Sequence, residues 1–344
     1  HRSGHSFPTR RSSDLYHQSL EDLLLNRSLA AVPIAGRYRL IDFILSNMVN
    51  SGINSVAIFP KYQYRSLMDH LGSGKNWDLN RKRDGLFFFP APALDSVDEG
   101  MGSFNHFAHH MDYFYRSKQK YALISNCNTI FTTDFNPMLK RHIETGCDIT
   151  KMNHNQESME IYLIEKSLLI DLIEKRGETG YTCMKDVVED VSSTLTICDY
   201  EFLGYVERIE CIQSYFTASM NLLTPECWKQ LFRKEYPVLT KVKDEPPTRY
   251  QKGTVVKNAI IANGCFVKGD VKESTIFRGV KIGQGSSVSN SIIMQKSQVG
   301  ENCVLEYVIL DKDVKIEDNV KLIGSPENPV VIRKGMIQGA LMNS

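Results

Sequence analysis

Ile282-Gly-Gln-Gly, Val299-Gly-Glu-Asn and Ile316-Glu-Asp-Asn open three turns, each 17 residues after the last. A related turn, Ile261-Ala-Asn-Gly, comes before them. Aliphatic anchors recur about every six residues: Ile261, Val267, Ile276, Ile282, Val288, Met294, Val299, Leu305, Leu310, Ile316 and Leu322. That period predicts a left-handed parallel β-helix of hexapeptide repeats over 253–344. Each hexapeptide forms one side of a triangular coil and points its anchor inward, while Gly or Asn takes positive φ at the corners.

Upstream the texture differs. From Tyr16 to about Tyr236, helix and strand patterns alternate. Leu40 to Asn50 places Ile41, Ile44, Leu45, Met48 and Val49 on one helical face, with Gly52 beyond its end. Ser55 to Phe59 reads as a buried strand stopped by Pro60, and Tyr121 to Ser125 as another. Asn136-Pro137 opens a helix expected to turn Met138, Leu139, His142 and Ile143 inward, before a short strand at Asp148 to Met152. Strand, helix, strand in this order predicts an α/β, doubly wound, mainly parallel sheet domain over 16–241. Val242 to Lys252, with two prolines and mixed charge, reads as a linker. His1 to Leu15 has three arginines and no apolar core. It is expected to be a foreign tail rather than a signal peptide.

Composition narrows the function classes. Lys+Arg is 41 against Asp+Glu 40, so no bulk field draws in a nucleic acid or an anionic membrane. No run reaches the ~18 apolar residues of a membrane span; Leu86 to Leu94 is broken by Pro90 and Pro92. The eight cysteines are scattered without a Cys-x-x-Cys, and are expected to be reduced cytoplasmic thiols.

Four segments carry a resemblance. They are Pro33-Ile-Ala-Gly-Arg-Tyr-Arg-Leu-Ile-Asp-Phe running on to Ile53, Leu71-Gly-Ser-Gly-Lys-Asn-Trp-Asp-Leu running on to Phe87, Lys241-Val-Lys-Asp-Glu-Pro-Pro-Thr-Arg-Tyr250, and Phe277-Arg-Gly-Val-Lys-Ile-Gly283. In register from about residue 16 to the end, the chain resembles glucose-1-phosphate adenylyltransferase, whose fold is a nucleotidyltransferase-like sheet domain followed by a β-helix. That family joins ATP and glucose 1-phosphate into ADP-glucose and pyrophosphate for glycogen or starch synthesis.

The reaction needs charge neutralised on a triphosphate and an in-line approach, because the sugar phosphate is already an anionic nucleophile. A Gly-rich turn, flanking basic side chains and Mg²⁺-binding carboxylates would supply this. The family's Gly-x-Gly-Thr-Arg type loop is replaced here by Tyr16-His-Gln-Ser-Leu-Glu-Asp-Leu-Leu-Leu-Asn26, a glycine-free stretch expected to be an amphipathic helix. The resemblance places the two metal positions at Asn128 and Asn221, and Asn keeps an oxygen without the charge. No catalytic residue and no metal of its own is therefore expected. Met152 to Ser158 is too short for the family's sugar-binding Glu-Lys-Pro stretch, and an activator-binding Lys is replaced by Leu29.

Other positions remain candidates. Arg37 and Arg39 would grip a phosphate or pair with Asp42. Gly102 is what survives of a nucleotide-binding segment, and Lys185 and Asp186 match a segment near the sugar site. Arg81, Lys82 and Arg83 would form an effector pocket or a solvated loop. His106, His109 and His110 have metal-like spacing but read as ordinary helix surface, beside Tyr113, Phe114 and Tyr115 as helix packing. The pattern resembles the family's non-catalytic regulatory subunit. That implies a hetero-oligomer, of which a tetramer is one form, with a catalytic subunit that carries Mg²⁺, and phosphorylated effectors or a nucleotide-sugar as ligands. The alternatives are an active adenylyltransferase, a pure binding module, and a hexapeptide acyltransferase. The last is disfavoured because residues 253–344 hold no His to act as base.

Overall fold

The computed structural model describes residues 20–81, 84–91 and 102–339; the expected foreign tail lies outside them. In chain order, the elements that matter below are α1 (Glu21–Leu24), α2 (Leu40–Asn50), β1 (Ser55–Ile58), α3 (Arg65–Leu71), β2 (Gly85–Phe88), α4 (Phe104–Ala108), β3 (Tyr121–Ile124) and β4 (Thr129–Ile130). They continue with α5 (Asn136–Thr145), β5 (Ile149–His154), β6 (Glu157–Glu165), α6 (Met184–Glu189), β7 (Ile197–Glu201), β8 (Glu207–Arg208) and α7 (Ile212–Asn221).

The principal sheet of the first domain has the order β3-β6-β5-β7. β5 pairs parallel with β7, whereas β6 runs antiparallel to both β3 and β5. β3, β5 and β7 therefore share one direction, and β1–β2 is a second parallel pair. The antiparallel β6 enters by a hairpin. Asn155 and Gln156, at φ +52° and +67°, form its two-residue turn, the geometry that matches strand twist. α2 is buried along Leu40 to Asn47 and packs its apolar face under this layer. In α5, Met138 and His142 are buried as expected. Ile143 is 55% exposed, because it lies on the far side of the helix.

The second domain is a three-faced parallel prism. Inward residues stack in register on each face: Val267, Ile282, Val299, Ile316; Val271, Val288, Leu305, Leu322; and Ile276, Ile293, Leu310, Ile332. One coil steps from Ile282 to Val288 to Ile293 to Val299. One side is therefore a residue short, which gives the 17-residue period. Gly285, Asn302 and Asn319 take positive φ at one corner, as expected. The other corners place Lys296, Asp313, Asn290 and Tyr307 in that region, so Gly or Asn is not obligatory there. Met294, expected inward, lies in the interface between the domains, and Ile293 fills the coil in its place. The first rung of the prism, Arg249–Tyr250, lies inside the stretch read as linker.

One outward face of the prism is covered by the first domain. Strand alternation sends Ile293 into the coil and Ile292 out. Ile292, Met294, Ile309 and Phe277 join Ile34, Leu40, Phe43, Tyr215 and Phe216 in one apolar cluster. Gly36, at φ +76°, permits this approach. A Cβ there would stand 2.8 Å from Ile260 of the prism. Among the described residues, no helix is long and apolar enough to cross a membrane.

Candidate functional site

The two positions where the resemblance puts Asn in place of a metal carboxylate flank one short antiparallel pair, β4–β8. Asn128 lies just before β4, and its carbonyl accepts the Ile209 N–H at 2.7 Å. Asn221 ends α7 and donates its side-chain N–H to Glu207 Oε1 at 2.7 Å. Tyr205 donates its hydroxyl to the same oxygen at 2.7 Å. Burial and the neighbouring Glu207 push the Tyr205 phenol far above its usual range, so it remains a donor. Glu207 and Tyr205 were not anticipated. The signal was the alternation Tyr205-Val-Glu207, which sends both side chains to one side of an extended segment.

These residues do not fit Mg²⁺. A hard cation needs several converging anionic or carbonyl oxygens. Here one carboxylate oxygen already accepts two hydrogen bonds, and the Asn221 amide presents its N–H rather than its oxygen. No group of three His, Cys, Asp or Glu side chains is placed to hold a metal among the described residues.

Two further segments that the resemblance reads as departures from the family also have a defined place in the structure. The short Met152–Ser158 interval is the β5–β6 hairpin, and it is fastened in place. His154 Nδ1 bonds the Phe202 carbonyl at 2.9 Å, Asn126 donates to Glu160 at 3.1 Å, and the Arg208 guanidinium donates to the Ser158 carbonyl. Where the phosphate loop was expected, only Glu21–Leu24 is helical among the described residues, a single turn rather than the amphipathic helix anticipated. Leu20 and Leu23 are buried in the interdomain cluster, with Leu29 packed against it. Asp22 pairs with Arg333 of the prism at 2.7 Å.

Arg37 and Arg39 come together somewhere else, in a cleft of about 100 Å³ at the domain junction. It is lined also by Asp69, His70, Lys241, Lys243, Arg278 and Gln295. The Arg39 backbone N–H, not its side chain, caps onto Asp42 at 2.9 Å, while its guanidinium donates to the Ser66 carbonyl at 2.6 Å. Asp42 also accepts from His70 Nε2 at 2.6 Å. Burial lowers the His70 pKa despite that partner, so the imidazole is the neutral donor.

The cations perturb one another. Burial, with Arg27 and Arg278 nearby, lowers Arg39 to about 10 although Asp42 opposes this. Burial and then Arg39 and Arg27 lower Lys312 to about 7 against the pull of Asp311. Lys243 and Arg278 are lowered too, mainly by burial. Burial is the main cause in each case, so the junction holds several cations away from full solvation. Lys241, Lys243 and Arg278 sit in two of the segments quoted above, but only the docking of the domains brings them to Arg37 and Arg39.

The remaining candidates do not join either place. The Asp186 carboxylate accepts from Thr182 N and Oγ1 at 2.7 and 2.6 Å and caps α6. Burial raises its pKa, but these bonds outweigh that and leave it lowered. Lys185 pairs with Glu189 along the exposed side of α6. Gly102, at φ +73°, turns the chain into α4. Arg81 pairs with Asp78 on the surface, and Lys82 and Arg83 lie outside the described residues.

Three further expectations are corrected. His106 is not helix surface: it is 5% exposed and bonds the Phe89 carbonyl at 2.8 Å, because α4 packs inward against Phe59. Tyr115 does not pack the helix. It is 54% exposed and donates its hydroxyl to Glu174. The cysteines are not eight separate thiols, since Cys147 and Cys198 are bonded to each other.

Residues 19–162 match the nucleotidyl transferase family and residues 245–328 the GlmU-like C-terminal hexapeptide family. The chain is 54% identical to glycogen biosynthesis protein GlgD of Bacillus subtilis, with 96% of each covered. It is 57% identical to the protein of that name from Geobacillus stearothermophilus, over 95% of this chain and 96% of the relative. It is 30% identical to glucose-1-phosphate adenylyltransferase of Bacillus anthracis, over 87% of this chain and 90% of the relative. Matched to these relatives over 87–96% of its length, the chain belongs to the glucose-1-phosphate adenylyltransferase family, in the group of the GlgD proteins.

Proposed function

We propose that this chain serves glycogen biosynthesis in the cytoplasm as a regulatory and assembly subunit. It would pair with a catalytic glucose-1-phosphate adenylyltransferase in a hetero-oligomer and make little or no ADP-glucose itself. The observation that carries this reading is the closed Tyr205–Glu207–Asn221 hydrogen-bond set where the reaction needs metal-binding carboxylates. Mg²⁺ chemistry then belongs to the partner. The fastened hairpin and the packed Leu20–Leu23 turn support the same reading, because substrate sugar and triphosphate have lost their seats.

Regulation is assigned to the junction cleft. Arg37, Arg39, Lys241, Lys243 and Arg278 would hold a phosphorylated effector or the phosphates of a nucleotide-sugar. An anion there bridges both domains and would change how rigidly they dock. Such coupling typically amounts to ~1–3 kcal/mol.

The test uses the full chain, the catalytic homologue, and both together, with ATP, glucose 1-phosphate and Mg²⁺. The chain alone should release no pyrophosphate, and adding it should change the partner's kcat or effector response. Steady pyrophosphate release by the chain alone would sink the reading.

A further inference from the structure

Cys147 and Cys198 stand 51 residues apart in sequence with Cα atoms 6.1 Å apart, inside the range a disulfide spans. The other six cysteines are not bonded. Cys147 occupies the turn between α5 and β5, just after Gly146 ends the helix at φ +65°. Cys198 lies on β7, the outer strand of its sheet, which is held in the ladder only by β5. The same corner is clasped by backbone bonds. Asp148 and Ile149 N–H donate to the Thr196 carbonyl at 3.0 and 3.3 Å, and Thr196 N–H donates to Asp148 Oδ2 at 2.8 Å.

The composition points to a reducing compartment, where a bond of this kind is transient and responsive rather than a permanent staple. We propose that Cys147 and Cys198 form a redox latch that fixes the edge strand β7 to the body of the sheet when closed and releases it when open. Closure is a thiol–disulfide exchange with a small-molecule disulfide such as oxidised glutathione. The half-buried Cys198, as thiolate, attacks one sulfur of that disulfide and expels one thiolate. Cys147 thiolate then attacks the Cys198 sulfur and expels the second. Two protein thiols are oxidised, one disulfide is reduced to two thiols, and both protons leave to solvent or to the departing thiolates.

The latch has mechanical leverage. β7 is preceded by the loop 190–196 that follows α6. It is followed by Phe202, whose N–H donates to the Asn153 carbonyl at 2.8 Å, and then by the Tyr205–Glu207 segment. Opening it frees one side of the closed site without touching the basic cleft. The proposal does not depend on the regulatory reading above.

The test equilibrates the full chain in glutathione buffers from reducing to oxidising, then applies differential alkylation and peptide mass mapping. Cys147 and Cys198 should lose alkylation together, joined in one linked peptide pair, while the other cysteines keep theirs. Amides of 190–201 should exchange ~10-fold or more faster in the reduced chain. Cys198→Ser and Cys147→Ser should both exchange at the reduced-chain rate in oxidising buffer. If Cys147→Ser fails to fold, Cys198→Ser alone carries that arm. Free thiols at both positions throughout, pairing with other cysteines, or equal exchange in the two states overturns the proposal.

Discussion

Arg27 and Asp311 meet at 2.6 Å, 284 positions apart in sequence, with only 2% and 1% of their surfaces exposed. The pair joins the segment before the first domain's core to the third face of the prism. Lys312 N–H also donates to the same Asp311 oxygen at 2.6 Å, and Met294 Sδ sits on the other side of the guanidinium. The two domains are therefore welded at a buried charge as well as by an apolar cluster.

Removing one partner leaves the other charged and dry. Asp311→Ala should destabilise the chain by about 3–5 kcal/mol, read by urea unfolding. A double change of Arg27→Met with Asp311→Leu should recover much of that loss, since a buried pair is often replaceable by apolar groups. A double variant no more stable than the single one would show that the charges themselves hold the junction.

Restoring the metal carboxylates should not restore the enzyme. Asn221→Asp removes the N–H that satisfies Glu207 and sets two carboxylates face to face. It should cost about 1–3 kcal/mol and raise one carboxyl pKa. Asn128→Asp combined with Asn221→Asp should still release pyrophosphate far below a catalytic homologue, because the hairpin and the Leu20–Leu23 turn persist. Near-normal turnover in that double variant would show those losses matter little.

Lys312 makes stability and anion binding depend on pH. Its folded pKa of about 7 lies below the ordinary lysine value of 10.5, so between those values the unfolded chain binds more protons. Its contribution to stability therefore rises with pH across that window and is lost below it. An anion in the cleft favours protonated Lys312. Phosphate should bind with proton uptake, more weakly by up to about tenfold per pH unit above neutrality. Calorimetry in buffers of differing ionisation enthalpy measures this, and Lys312→Met should flatten both pH trends.

Inward and outward residues of the prism should report different failures. Val299→Asp and Ile282→Asp place an unpaired charge inside the coil, where each anchor is almost fully buried. They should abolish assembly with the catalytic partner before the first domain unfolds. Gel filtration of the mixture tests this, and an unchanged oligomer mass counts against it. Ile292→Asp strikes the covered outer face instead, and should uncouple the domains while the coil persists.

Much of the fold was legible because its codes are local. The six-residue steps Ile276, Ile282, Val288 and Val299, Leu305 point to a coil, and the 17-residue return from Ile282 to Val299 to Ile316 stacks its rungs in register. The spacing of Ile41, Ile44, Leu45 and Met48 likewise demands α2 over Leu40–Asn50, where it is found. Asn at the two positions where the resemblance puts metal carboxylates is likewise read from residue identity, without coordinates.

What stayed hidden depends on which surface meets which. Periodicity places the inward anchor at Met294, whereas Ile293 fills the coil. It does not say that Ile292, pointing out, is covered by Phe43 and Tyr215. For the same reason His106 reads as surface in the sequence, and chain order leaves Arg39 between a phosphate and Asp42 without showing Ser66 or the cations around it. Chain order alone determined the prism and the helix–strand alternation before it, since each is written in the spacing of nearby residues. Only the tertiary structure decided the basic cleft, the Arg27–Asp311 weld and the Glu207 hydrogen bonds. Each joins groups from distant segments, and burial and electrostatic coupling exist only once those segments are packed together.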